Sequence, residues 1–265
     1  MIVTLLLALL VKSGLIAAAG LAACRIPGLR PADRVDVLRG TTVLLLALPV
    51  VMAVLPSLDL ALLPAVAAPE PLPMWSGEVV SMGGVAVSGS MPWPSPSLLL
   101  LAAWVIGVAA LGLRLALGLH TLGRWTETGE PIDCPAWSRP LQRLAPRHAP
   151  RLISTDRIDG PLSWGTTPGV ILIDRASLSA PETAPAVLAH ELGHLRRHDW
   201  VFLMLSRLAV ALFWFNPLVW RLQGELAARS EETADAEALR TVDRQTYART
   251  LIRLAAHPSP LVATA

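Results

Sequence analysis

The segment His190-Glu191-Leu192-Gly193-His194 sets two imidazoles four residues apart, with a carboxylate next to the first. On an α-helix such positions share a face, so both rings can reach one zinc ion at about 2.0–2.1 Å. Glu191 then stands where it can take a proton from a metal-bound water and return it to a leaving amine, while the metal polarises a scissile carbonyl. With six His and ten Glu in 265 residues, chance supplies only about 0.005 such patterns. Two imidazoles still need a third ligand. Glu231 and Asp235 form an E-x-x-x-D pair within residues 229–239, a stretch of helical propensity. One turn apart on one face, Glu231 can bind the metal while Asp235 accepts the free N–H of a ligand histidine and fixes its tautomer. Glu232 competes as ligand, but the residue four positions on is Ala236, which offers no such support.

The elements around these residues must bring them together. Gly169 to Ile173 reads as a short apolar strand bounded by Pro168-Gly169 and Asp174-Arg175. Ser179 with Glu182 forms a capping-box pattern, and Pro181 suits a first helical position, so a helix is predicted from about Pro181 through His194. The apolar segment from Trp200 to Gln223 is the difficulty, because as one straight helix of about 36 Å it would cross a bilayer and separate the histidines from Glu231. It must therefore fold back, and Phe215-Asn216-Pro217 supplies the break. Each arm then reaches only about 22 Å, which predicts a re-entrant helical hairpin, with Trp200, Trp214 and Trp220 suited to a membrane interface.

Composition points the same way. The chain is 53% hydrophobic and 16% charged, with mean hydropathy +0.53; that excludes a disordered polymer and is unusual for a soluble enzyme. Apolar runs at about 3–23, 41–58 and 98–119 predict three transmembrane helices. Residues 57–96 contain no Lys or Arg, so 59–96 is expected to be an extracytoplasmic loop, whereas the Arg-rich stretches 25–39 and 124–197 mark the cytoplasm. Residues 1–120 thus read as a membrane domain and 121–265 as a cytoplasmic domain. Leu21-Ala22-Ala23-Cys24 resembles a lipoprotein processing site, but the four arginines from Arg25 to Arg39 oppose export. The net charge of +2 offers no field for direct nucleic-acid binding, and two cysteines 110 positions apart, Cys24 and Cys134, form no disulfide framework.

Other suggestive residues have plainer readings. His198 would lie one helical turn beyond His194 as a solvated or interfacial side chain, and His120 and His148 are read likewise. Arg196 and Arg197 suit lipid headgroups, with Asp199 as their partner. Tyr247 is read as packing, since no spacing ties its hydroxyl to the metal.

Taken together, Gly160-Pro161-Leu162-Ser163-Trp164-Gly165, Pro168 to Ile173, the HELGH motif followed by Asp199, Trp214-Phe215-Asn216-Pro217 and the E-x-x-x-D pair resemble the BlaR/MecR-type antirepressor metallopeptidases of bacterial membranes. The likeness covers about residues 160–240, and the three-helix prelude agrees with it. It implies a mostly α membrane protein of the bacterial inner membrane, multi-pass, with a cytoplasmic gluzincin-like α+β domain. It also implies zinc held by His190, His194 and Glu231, with Glu191 as catalytic base. The expected substrate is a protein, either a cytoplasmic transcriptional repressor or the peptidase itself. Members that sense β-lactams continue into a penicillin-binding domain. This sequence ends 34 residues after Glu231, which makes a short member without that sensor the expectation. A general quality-control protease of the membrane and a catalytically inactive zinc-binding scaffold are the rival readings. Oligomeric state has no signature in the sequence.

Overall fold

The computed structural model describes residues 2–54 and 95–255. The fold is mostly helical. Among the described residues three helices are long and apolar enough to cross a membrane: α1 (Ile2–Ala23), α2 (Pro31–Val54) and α3 (Pro96–Thr128). Two differ in extent from the sequence expectation. α2 begins ten residues before the apolar run at 41, because Pro31 opens the helix and the Asp33 carboxylate accepts the Arg30 N–H at 3.2 Å. α3 begins behind an N-cap, Ser95, and continues past 119 to Thr128, where the Gly129 N–H closes the last turn on the Trp125 carbonyl at 3.0 Å. Residues 55–58 of the second run and 59–94 of the expected loop lie outside the described residues.

After α3 come β1 (Glu130–Pro131), α4 (Pro135–Leu144), β2 (Arg151–Ser154), β3 (Leu162–Trp164) and β4 (Val170–Ile173). They form a four-stranded sheet of order β1-β2-β4-β3, in which only β2 and β4 run parallel. β4 is the strand expected at 169–173. It is buried along most of its length, whereas β1 and β3, of two and three residues, carry no alternation for a sequence reading to detect. Gly169 turns into β4 at φ +75°, and a side chain there would strike Leu195.

The capping box expected at Ser179 is not formed. Asp174 caps a short helix, α5 (Arg175–Leu178), by accepting the Ser177 N–H at 2.9 Å. Ser179 closes that helix instead, its hydroxyl donating to the Arg175 carbonyl at 2.8 Å. Pro181–Thr183 make a 3-10 turn, and the motif helix is α6 (Ala184–Arg196). It is followed by α7 (Asp199–Leu212), α8 (Pro217–Ala238) and α9 (Arg244–Ala255).

The two larger apolar cores among the described residues organise these parts. One joins α4, the sheet and α6 through Trp137, Leu141, Leu152, Ile171, Leu188 and Leu192. The other joins α1, α2, α7 and α8 through Leu38, Leu45, Val210, Phe213, Val219 and Leu222. The α7–α8 hairpin therefore folds back and packs on the first two helices, and at 14 residues, about 21 Å, α7 is too short to span a bilayer. Its corner is tied down by hydrogen bonds. Asn216 caps α8 by accepting the Leu218 N–H at 3.0 Å and donates to the hydroxyl of Ser13 in α1 at 2.9 Å, with both side chains buried. Ser13, a polar interruption of the first apolar run, is thus the partner that this buried amide requires. Trp104 of α3 donates to the Leu212 carbonyl at 3.0 Å, and Trp214 packs against Gly107, where a Cβ would collide with its indole.

Candidate metal centre

α6 buries Leu188, Leu192 and Leu195 against the sheet core, which leaves His190 and His194 on a face turned toward α8. Their Nε2 atoms stand 3.2 Å apart. Glu231 of α8 reaches both, with Oε2 at 3.4 Å from His190 Nε2 and Oε1 at 3.5 Å from His194 Nε2. Donors each about 2.0–2.1 Å from a tetrahedral zinc ion would be about 3.3–3.4 Å apart, so the three residues fit such an ion in donor type and spacing. The three groups form a cluster whose donor atoms lie within 4.8 Å of one another. Glu232 points elsewhere, its carboxylate held by Arg229 at 2.7–2.8 Å. Packing thereby separates two neighbours that the sequence left in competition.

The outer ring nitrogens are also engaged. His190 Nδ1 lies 3.0 Å from Asp235 Oδ1 and 3.1 Å from the Tyr247 hydroxyl, which itself donates to Asp235 at 2.6 Å. Asp235 thus sits where the E-x-x-x-D spacing put it. Tyr247, expected only to pack, comes to the site on α9, a helix whose placement no local pattern reveals. His194 Nδ1 faces Asp199 Oδ2 at 2.8 Å. The sequence pattern does not reveal this partner, since Asp199 reads there only as the partner of Arg196 and Arg197. The chain breaks between α6 and α7 at His198, which adopts a left-handed conformation at φ +56°. His198 therefore does not continue the motif's helical face, and the reversal swings Asp199 back beneath His194. A non-glycine residue held there costs about 1–2 kcal/mol, so the surrounding contacts must over-determine it.

Those contacts are charged. Asp199, 1% exposed in its side chain, also receives Arg197 and, from α2, Arg39. Arg197 further donates to the Ser230 carbonyl of α8 at 2.9 Å, so it braces the corner rather than reaching for lipid headgroups. Arg196 donates to the Leu144 carbonyl at 2.6 Å.

The electrostatics follow from this geometry. Burial opposes the charged form of His194, but hydrogen bonds to Asp199 and Glu231 overcome it and push the ring up to about 10. His190 is also burdened by burial and yet raised by its hydrogen bond to Glu231. The same two histidines hold the Glu231 carboxyl well below the usual carboxylate range. For Asp199, burial is outweighed by hydrogen bonds from His194 and Arg197, which lower it. Burial and then the Asp235 carboxylate push the Tyr247 phenol upward, so it stays a donor.

Glu191 is buried and borders a cavity of about 150 Å³ shared with His190, Pro161, Val187, Tyr247 and Leu251. β3 flanks this side, with Ser163 Oγ donating to the Glu191 carbonyl at 3.2 Å. A cluster of side chains able to hold a metal ion, a carboxylate beside it and a recess next to both make the arrangement suited to metal-assisted hydrolysis.

Residues 78–265, more than half of the chain, match the family described as BlaR1 peptidase M56. The chain is 26% identical over 157 residues to Regulatory protein BlaR1 of Bacillus licheniformis, covering 55% of this chain and 25% of that relative. It is 24% identical over 97 residues, 36% of the chain and 17% of the relative, to the methicillin resistance mecR1 protein of Staphylococcus aureus and of Staphylococcus epidermidis. The matched part thus spans about a quarter or less of the length of these curated relatives.

Proposed function

Because the chain belongs to the BlaR1 peptidase M56 family, we propose that it is a membrane-bound zinc endopeptidase acting in signal transduction. The observation that carries this reading is the convergence of His190, His194 and Glu231 beside the buried Glu191. His190, His194 and Glu231 would hold the ion. When bound, zinc supplies Lewis-acid polarisation of a scissile carbonyl and acidifies a water. Glu191 takes the proton from the attacking water and delivers it to the leaving amine. Asp235 and Asp199 accept the outer N–H groups of the two histidines, which fixes both tautomers and leaves each Nε2 free as a ligand.

α1, α2 and the apolar part of α3 up to about residue 119 cross the bilayer in a membrane domain of residues 1–120, the last turns of α3 lead into the second domain, and the α7–α8 hairpin enters the bilayer from one side without crossing. Residues 121–265 form a gluzincin-like peptidase domain, which the distribution of arginines turns toward the cytoplasm. The names of the relatives, a regulatory protein and a resistance protein, favour a regulatory protein as substrate. A cytoplasmic transcriptional repressor, or the peptidase itself, is the substrate that fits.

The test is zinc content per chain in detergent-purified wild type, Glu191→Ala and Glu231→Ala, followed by cleavage of a repressor encoded beside the gene. About one zinc is expected in wild type and Glu191→Ala and little in Glu231→Ala, with cleavage slowed about 10²–10⁴-fold or more by Glu191→Ala. Cleavage of casein in preference to the repressor would move the assignment to general quality control. Zinc without any cleavage that depends on Glu191 would leave a scaffold.

A further inference from the structure

Arg39 is the ninth residue of α2 and stands just before its apolar run. The side chain is 13% exposed, and its guanidinium lies over the Phe202 ring of α7 at 4.5 Å from the centroid. Nη2 donates both to Asp199 Oδ1 and, at 3.0 Å, to the Arg197 carbonyl, so it grips the corner between α6 and α7 at two points. The other oxygen of Asp199 faces His194 Nδ1 at 2.8 Å. One buried carboxylate therefore bridges a side chain of a candidate membrane span and a ring of the metal centre.

We propose that Arg39 is a positioning residue of the metal centre: it holds Asp199, and through Asp199 the ring of His194, so that the position of α2 sets the metal affinity. The inference rests on the metal-centre reading above. The partner of a ligand histidine sets its tautomer and orientation, and loss of such a partner weakens metal binding about 10–100-fold. Asp199 is itself held only as well as its donors hold it. A hydrogen bond does not survive much beyond 3.2–3.5 Å, whereas sliding α2 by one residue moves Arg39 by about 1.5 Å. Lysine replaces this grip only in part: an ammonium can donate twice, as Nη2 does, but it lacks the planar guanidinium that lies over the Phe202 ring and fixes the direction of those bonds. A disturbance in the membrane that displaces α2 thus reaches the ring of His194 by way of Arg39 and Asp199.

The test uses the full chain in detergent micelles, stripped with chelator, with zinc affinity measured by competition against a chromophoric chelator and with the visible spectrum of the Co²⁺-loaded form. Arg39→Met keeps the aliphatic stem over Phe202 and removes the fork. It is expected to weaken zinc about 10–100-fold and to alter the Co²⁺ bands, with circular dichroism unchanged. Arg39→Lys is expected between Arg39→Met and wild type, and Asp36→Asn, which removes only the exposed contact of Arg39 at 3.3 Å, is expected at the wild-type value. In whichever Arg39 variant folds, wild-type affinity with a wild-type spectrum overturns the proposal while the metal centre stands. Failure of the wild-type chain to bind either ion overturns the metal-centre reading and this inference with it.

Discussion

His190 and His194 occupy one face of one helix, yet their outer nitrogens meet opposite surroundings. His194 faces Asp199, a carboxylate 1% exposed and gripped by two guanidinium groups, one of them from α2. His190 faces Asp235, 43% exposed, whose other partner is the hydroxyl of Tyr247 on a peripheral helix. A buried carboxylate is tolerable only while its charge is matched, so the His194 side is locked to the packing of α2, α6 and α7. On the His190 side the carboxylate is half-exposed and its other partner is a neutral phenol, so no buried charge locks it in place. The centre therefore has an anchored half that reports on the membrane helices and an adjustable half that borders the cavity beside Glu191.

The largest expected difference is in stability. Asp199→Ala strands Arg39 and Arg197 in a buried site and should cost about 3–5 kcal/mol in chemical unfolding of the chelator-treated chain. Asp235→Ala, at a half-exposed position, should cost less than about 1 kcal/mol. Equal costs would remove the distinction between the halves.

The next effect is in pH dependence. The His194 ring is raised to about 10, above its ordinary 6.5, so it contributes stability that is fully present below about pH 6.5 and is lost as pH rises toward 10. The melting temperature of the chelator-treated chain should fall across that window, and Asp199→Asn should flatten the fall more than Asp235→Asn does. Zinc binding runs the other way, because the metal needs neutral imidazoles, and its affinity should climb over the same range. A melting curve with the same slope in wild type and Asp199→Asn would assign the raised ring to Glu231 alone.

Smaller still is the effect of Asp235→Ala on the metal, expected to be about a tenfold loss of zinc affinity in a chelator competition. Least affected should be zinc binding in Tyr247→Phe, which removes one hydroxyl but leaves the contact of Asp235 with His190 in place, so zinc is retained at about the wild-type affinity and stability falls by no more than about 1 kcal/mol. If Tyr247→Phe released zinc as completely as Glu231→Ala, the phenol would be a ligand and not a support.

Much of this site was legible before folding. The HELGH pair, the E-x-x-x-D pair and the need for a break near Asn216 are statements about helical periodicity and about the length of an apolar segment, and both are local quantities. The failures are equally instructive. The capping box at Ser179 matched a pattern, but Asp174 caps an earlier turn and turns Ser179 to another task. The helix expected to carry His198 onward ends at Arg196, because a left-handed residue turns the chain toward contacts that lie far away in sequence.

The sequence by itself determined the HELGH spacing, the three apolar helices and the segments in which basic residues gather, since each is read from the residue pattern along one continuous stretch of chain. Spacing from Asp235 favours Glu231 over Glu232 in the sequence; only the tertiary structure sets Glu231 against both histidines, gives Glu232 to Arg229, and brings Asp199 and Tyr247 to the outer nitrogens of the histidines. Arg39 meets Asp199 across 160 positions and Tyr247 meets His190 across 57. Contacts at such separations are chosen by which apolar faces pack together, and a buried charge then takes whatever partner that packing brings within reach.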